Sequence, residues 1–164
     1  MSWQLAQVNL ALPVEPLDSA RLADFMAALD PVNALADAAD GFVWRLQSDS
    51  GDATDIRGTD DRIIVNMSVW TSLAALRDFA FGGTHVQVMR RRREWFVPMR
   101  EAYAVLWWVP AGHRPSVAEA EDRLRRLRAN GPTAYAFTFR ELFPAPDASS
   151  IAELDDDRRG CPTG

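Results

Sequence analysis

The stretch RIIVNMSVW, residues 62–70, decides how this chain folds. It is dense in β-branched residues and reads as a strand. Alternation sends Ile63, Val65, Met67 and Val69 to one side and Ile64, Asn66, Ser68 and Trp70 to the other. Neither side is charged, so both are expected to be covered. Helices of the same chain are expected to cover one. A second copy laying its sheet against the first would cover the other, which predicts a homodimer.

Working outward, WQLAQVNLAL, residues 3–12, reads as a first strand. Leu17, Leu22, Phe25, Met26 and Leu29 then fall at helical spacing behind a cap at Asp18 or Ser19. Asp30-Pro31 reads as a break and restart, with Pro31 at the first helical position and an end near Asp40-Gly41. FVWRLQ, residues 42–47, is a second strand, and the polar segment 48–61 is a loop. After the decisive strand, Thr71 is expected to cap a helix through Leu73, Leu76 and Phe79. Gly82-Gly83 interrupts it, and Thr84 caps a further helix from His85 to about Arg100. AYAVLWWV, residues 102–109, is the fourth strand.

The order β-α-β, loop, β-α-β predicts an α+β fold. Its core is a ferredoxin-like, four-stranded antiparallel sheet with helices on one face. An extra helix follows. Ser116 caps it, Glu119 completes a capping box, and Val117, Ala120, Leu124 and Leu127 form its apolar stripe up to Gly131-Pro132. TAYAFTFREL, residues 133–142, is a short additional strand. The domain is therefore expected to span residues 1–146, with 147–164 as a mobile acidic tail.

Composition narrows the function. The 164 residues suit one domain with an ordinary core, 48% hydrophobic and 25% charged. No apolar run approaches the length of a membrane helix, and the N-terminus lacks the pattern of a signal peptide. The lone cysteine, Cys161, and only two histidines do not make a zinc site. A cytoplasmic setting is expected. The net charge is −5, much of it from Asp147, Glu153, Asp155, Asp156 and Asp157, and no basic footprint for nucleic acid is present. No phosphate loop, dinucleotide motif, calcium loop or nucleophile elbow occurs.

The one dense basic stretch is GGTHVQVMRRRREWF, residues 82–96. Seven residues turn a helix almost twice, so on a continuous helix His85 and Arg92 share one line. Val88, Met89, Trp95 and Phe96 belong to the same stripe. Arg92 is thus the arginine expected to face inward, where it meets either an anionic ligand or an internal partner. His85 near the helix start is expected to be neutral, able to act as a base or an iron ligand, or simply to hold the structure by a hydrogen bond. Trp44, Trp70, Trp95 and Met89 are candidate lining groups, as aromatics with a few polar groups commonly line pockets. Asn9 and Asn66 stand out because asparagine is depleted in strands. Buried amides must find partners in ligand, water or backbone. The candidate catalytic groups are therefore His85 and Arg92. The candidate ligand-binding groups are Asn9, Trp44, Asn66, Trp70, Met89 and Trp95. No metal ligands are expected.

The segments LAQVNLA, GFVWRLQ, VNMSVW, THVQVMRRRREWF, LWWVPAGHRPSVAEAEDRLRRLRANGP and AFTFRELFPAP resemble a bacterial family known as domain of unknown function 3291. That family is similar to the antibiotic-biosynthesis-monooxygenase-like dimeric α/β barrels. The resemblance covers residues 3–146 and implies that the sheet pairs into such a barrel. It also implies a small-molecule-binding protein, with a cofactor-free monooxygenase-like enzyme acting on an aromatic or polyketide-like compound as one form. A non-catalytic ligand-binding or stress protein is another. A haem-binding or haem-degrading protein, with Asn9, Trp70 and His85 in the corresponding places, is the third. No cofactor is required by the first two.

Overall fold

The computed structural model describes residues 2–48, 52, 54, 58 and 60–146. The expected acidic tail, residues 147–164, and most of the loop 48–61 lie outside the described residues. In chain order the elements are β1 (Trp3–Ala11), α1 (Ala23–Ala38), β2 (Phe42–Arg45) and β3 (Ile64–Trp70). They continue with α2 (Leu73–Ala80), α3 (Gly83–Arg90), α4 (Arg92–Trp95), β4 (Ala104–Pro110) and α5 (Val117–Asn130). The sheet order is β2-β3-β1-β4, with every neighbouring pair antiparallel. This is the ferredoxin-like layout that the element order predicts.

Several local expectations are corrected. No restart occurs at Pro31; it lies inside α1, a single helix of 16 residues. The helix survives because α1 packs along its length, from Leu22 and Phe25 at its start to the buried Ala36 near its end. α2 is capped by Ser72, not Thr71: the Ser72 Oγ accepts from the Ala75 N–H at 3.1 Å. Gly41 is held with φ +81°, and a Cβ there would meet Ala75 Cβ at 2.5 Å. Only glycine lets the α1–β2 turn approach α2 so closely. Its carbonyl accepts from the Thr71 N–H at 2.8 Å, tying that turn to the end of β3.

The helix expected from His85 to Arg100 is broken. α3 begins at Gly83 behind Gly82, two residues ahead of the expected start at His85 behind Thr84, and stops at Arg90. A short α4 follows and ends at Trp95. The reason is tertiary. The Val14 N–H donates to the Trp95 carbonyl and the Val97 N–H to the Leu12 carbonyl, both at 2.8 Å. These bonds hold residues 95–97 in extended pairing with the chain leaving β1. Trp95 and Phe96 turn inward as a result, both buried with Leu22 and Ile64.

α5 begins as expected, with the Ser116 Oγ accepting from the Glu119 N–H at 3.1 Å. The Glu119 carboxylate leaves the capping box, however. It accepts from the Trp107 indole at 3.3 Å and meets His113 Nε2 at 2.7 Å. The short strand after α5 is present as a bridge in which Leu106 and Phe137 exchange both backbone hydrogen bonds across the outer side of β4.

α5 lies on the sheet face opposite α1–α4. Ala120, Leu124 and Leu127 pack on Ala6, Val8, Leu10, Val65, Met67, Val69, Val105, Trp107 and Val109, and all of these are buried within one chain. The premise that this face needs a second copy is therefore overturned. One of the chain's own helices covers it.

Candidate functional site

On the face toward α1–α4 the strands present four rows of side chains. Leu5, Trp70, Trp108 and Phe42 make the first, and Gln7, Ser68, Leu106 and Arg45 the second. Asn9, Asn66 and Ala104 make the third, and Ala11 and Ile64 the fourth. The first row is sealed by α2: Trp70 stacks on Phe79 at 5.2 Å and meets Phe42 edge-on at 5.5 Å. The fourth is sealed by Leu22, Trp95 and Phe96, with Phe25 edge-on to Phe96 at 4.9 Å. Between these two apolar clusters lies a polar strip, and there Asn66 is exposed although β3 is an inner strand.

The strip is hydrogen-bonded internally. Gln7 Nε2 donates to Asn66 Oδ1 at 3.1 Å and to Ser68 Oγ at 2.8 Å. Asn9 Nδ2 donates to Gln7 Oε1 at 3.3 Å. The Trp70 indole N–H donates to Ser68 Oγ at 2.9 Å, joining the strip to the aromatic cluster. Arg45 flanks the second row and is held by Asp37 of α1 at 2.7 Å. The structure thus brings together Asn9, Asn66 and Trp70 of the expected set. It adds Gln7 and Ser68, which sequence reasoning missed. Their signal was available: Gln7 and Asn9, like Asn66 and Ser68, are polar residues two apart in otherwise apolar strands, hence on one face.

His85 stands at the far side of the first row. Its Nδ1 meets the Ala80 carbonyl at 2.8 Å and its ring lies 5.1 Å from Phe79. Burial lowers its pKa from 6.5, against the opposing pull of the Ala80 carbonyl. The direction is the expected one, toward the neutral ring, but its cause is burial and not the helix start. A neutral ring that gives its Nδ1 proton to Ala80 carries a lone pair on Nε2. The ring reaches the polar strip only through Phe79 and Trp70, each in contact with the next.

Arg92 is half-buried while Arg90, Arg91 and Arg93 are exposed, so the inward member of the run was legible. Its surroundings were not. Arg92 donates to the Leu10 carbonyl at 3.0 Å and its guanidinium lies 4.3 Å from the centre of the Tyr103 ring. Burial lowers its pKa from the usual arginine value, and no carboxylate pairs with it among the described residues. Arg91, by contrast, binds Asp24 at 2.8 Å and Glu94 at 2.7 Å. The shared line of His85 and Arg92 does not survive the break at Arg91. Phe79, which the His85 ring touches, stacks on Trp70, the residue opposite Leu5, whereas Arg92 binds at Leu10. Five strand residues separate those positions, roughly 16 Å.

The remaining candidates are dispersed. Trp44 packs on the α5 side of the sheet, because an irregularity between Phe42 and Trp44 turns it away from the strip. Trp95 is buried at one end of the strip and Met89 is exposed. Asn9, Trp70 and His85, the trio implied for haem, are not gathered around one space, so these residues do not fit that group. Among the described residues no group of three or more His, Cys, Asp or Glu side chains could hold a metal ion.

One sequence family accounts for most of the chain. The model of that family, domain of unknown function DUF3291, matches residues 4–153. The chain belongs to the DUF3291 family. No curated protein matches it. Among solved structures it is similar to Rv0793 from Mycobacterium tuberculosis at 14% identity, covering 69% of this chain and 99% of that one, with a TM-score of 0.47. It is also similar to SnoaB, a cofactor-independent oxygenase from Streptomyces nogalater, at 16% identity, with coverage of 68% and 95% and a TM-score of 0.43. PA3566 from Pseudomonas aeruginosa shares 13% identity over 71% and 98% of the two chains, with a TM-score of 0.45.

Proposed function

We propose that this DUF3291 protein binds a small, largely apolar molecule, aromatic or polyketide-like, in the strip between the two aromatic clusters. The observation that carries this reading is the exposure of Asn66 on an inner strand, flanked on both sides by buried apolar rows. A core would ordinarily be continuous there. A gap floored by amides and walled by aromatics suits a flat ligand with one oxygen-bearing edge. Asn66 and Asn9 are the direct contacts in this reading, and Trp70 borders them.

The groups joined to Asn66 are Gln7, Asn9 and Ser68, none of which titrates near neutral pH. They favour binding and orienting a ligand over moving its protons. In an enzymatic form, cofactor-free and monooxygenase-like, the amides would stabilise an enolate or phenolate oxygen of a substrate acidic enough to lose its own proton. His85, Arg92, Met89, Trp44 and Trp95 would then act through the fold. Two further parts of the reading are a cytoplasmic setting, which rests on the sequence, and a homodimer, which rests on the resemblance to dimeric barrels alone, with its contact outside the face that α5 covers. Among the described residues no helix is long and apolar enough to cross a membrane.

Native mass spectrometry of freshly purified protein, followed by titration with bicyclic aromatic ketones, tests the reading. Retained ligand or saturable binding that Asn66→Ala abolishes is expected. Binding unchanged by that substitution would remove the strip as the site. Oxygen consumption on adding the bound compound separates an enzyme from a binding protein.

A further inference from the structure

The strip has a polarity, and Gln7 sets it. Both N–H groups of the Gln7 amide are committed, one to Asn66 Oδ1 and one to Ser68 Oγ. Its Oε1 is committed to Asn9 Nδ2. An asparagine has one acceptor end and one donor end, so holding the Asn66 oxygen inward presents its NH₂ outward, into the exposed gap. Ser68 Oγ already accepts from Gln7 and from the Trp70 indole, which fills both of its lone pairs and leaves its O–H proton to be given away. The exposed Asn66 NH₂ therefore faces the gap as a donor from β3, with the Ser68 O–H buried behind it, while the half-buried Asn9 Oδ1 supplies an acceptor from β1.

We infer that Gln7 is a positioning residue that makes this site donor-presenting, so that the ligand's polar edge is an acceptor oxygen, carbonyl or phenolate, and not an N–H group. The inference rests on the strip being the binding site and adds the chemistry of what it takes. Gln7 reaches this outcome without touching the ligand. It lies diagonally across from Asn66 and directly opposite Ser68 on neighbouring strands, so one amide orients both.

The substitution Gln7→Glu reverses the arrangement with almost no change of shape. A carboxylate only accepts, so Asn66 must turn its NH₂ inward and show Oδ1 to the gap, while Ser68 gives its proton to the carboxylate. Two bicyclic probes of similar size read the result: 1-indanone, which only accepts, and indole, which only donates. In titrations followed by the indole N–H NMR signal of Trp70, which every variant retains, the wild type is expected to bind 1-indanone about ten-fold more tightly than indole, about one hydrogen bond's worth. Gln7→Glu is expected to invert that order. Gln7→Asn, which is one methylene shorter and releases both partners, is expected to bind the two probes alike. It serves if the carboxylate variant does not fold.

A wild type that prefers indole, or a Gln7→Glu protein with the original order, overturns the inference. If Asn66→Ala loses 1-indanone in that case, the strip stands as the site and only its polarity falls. If Asn66→Ala binds as before, or the wild type binds neither probe, the site itself falls and takes the inference with it.

Discussion

The two faces of the sheet solve the same packing problem differently. Under α5 the side chains form one continuous apolar cluster from Ala6 to Ala136, centred on Trp107. Under α1–α4 they form two clusters, one around Trp70 and one around Trp95. Gln7, Asn9, Asn66 and Ser68 separate them. Both faces come from the same strands, with identical backbone hydrogen bonding. The difference lies in which residues the period-two alternation sends to each side. A continuous apolar face maximises burial and leaves nothing to bind. An interrupted one gives up burial at its centre and leaves polar groups that require partners.

The strongest way to break the comparison is Trp107→Ala on the sealed face. Loss of a fully buried indole is expected to cost about 3–5 kcal/mol. Chemical denaturation measures it, and a cost as small as that of a surface change would mean that the face is not sealed. Arg92→Ala comes next, at about 1–2 kcal/mol, from the lost bond to the Leu10 carbonyl and the lost stacking on Tyr103. If ligand binding falls while stability does not, Arg92 belongs to a site after all.

Asn66→Ala is expected to change stability by no more than about 0.5 kcal/mol, as for an exposed position, while ligand binding is lost. That pairing of effects is the signature of the open face.

The smallest effect concerns pH. Burial depresses the pKa of His85 below 6.5, so the folded protein resists a proton that the unfolded chain accepts. The stabilisation is complete above 6.5 and is lost as pH falls toward the folded value. Melting temperatures measured from pH 7.5 downward should decline less steeply below 6.5 in His85→Gln than in the wild type. Equal slopes would show that the imidazole is not desolvated.

Legibility followed the range of the interactions. The strands and the Ser116 cap were readable because each depends on neighbours a few residues away; the inward turn of Arg92, expected on a continuous helix, is held instead by the Leu10 carbonyl 82 residues away. The break at Arg91 was not, because it is imposed by residues 12–14 pairing with residues 95–97. Pro31 was misread for the same reason: its local preference for a helix start is outweighed by packing along the whole of α1. At the site, Asn9 and Asn66 were visible as polar intrusions in apolar strands. Gln7 was passed over because its importance comes from partners 59 and 61 residues away.

By itself the sequence determined the fold class, the order of the elements, and the existence of polar residues on one side of inner strands. All three follow from periodicity, which is a local property of the chain. Tertiary structure alone decided that α5 covers the second face, that His85 and Arg92 part at the break at Arg91, and that the amides of Gln7, Asn9 and Asn66 join in one strip. These outcomes depend on contacts between segments far apart in the chain, where burial and hydrogen bonding outweigh local preference.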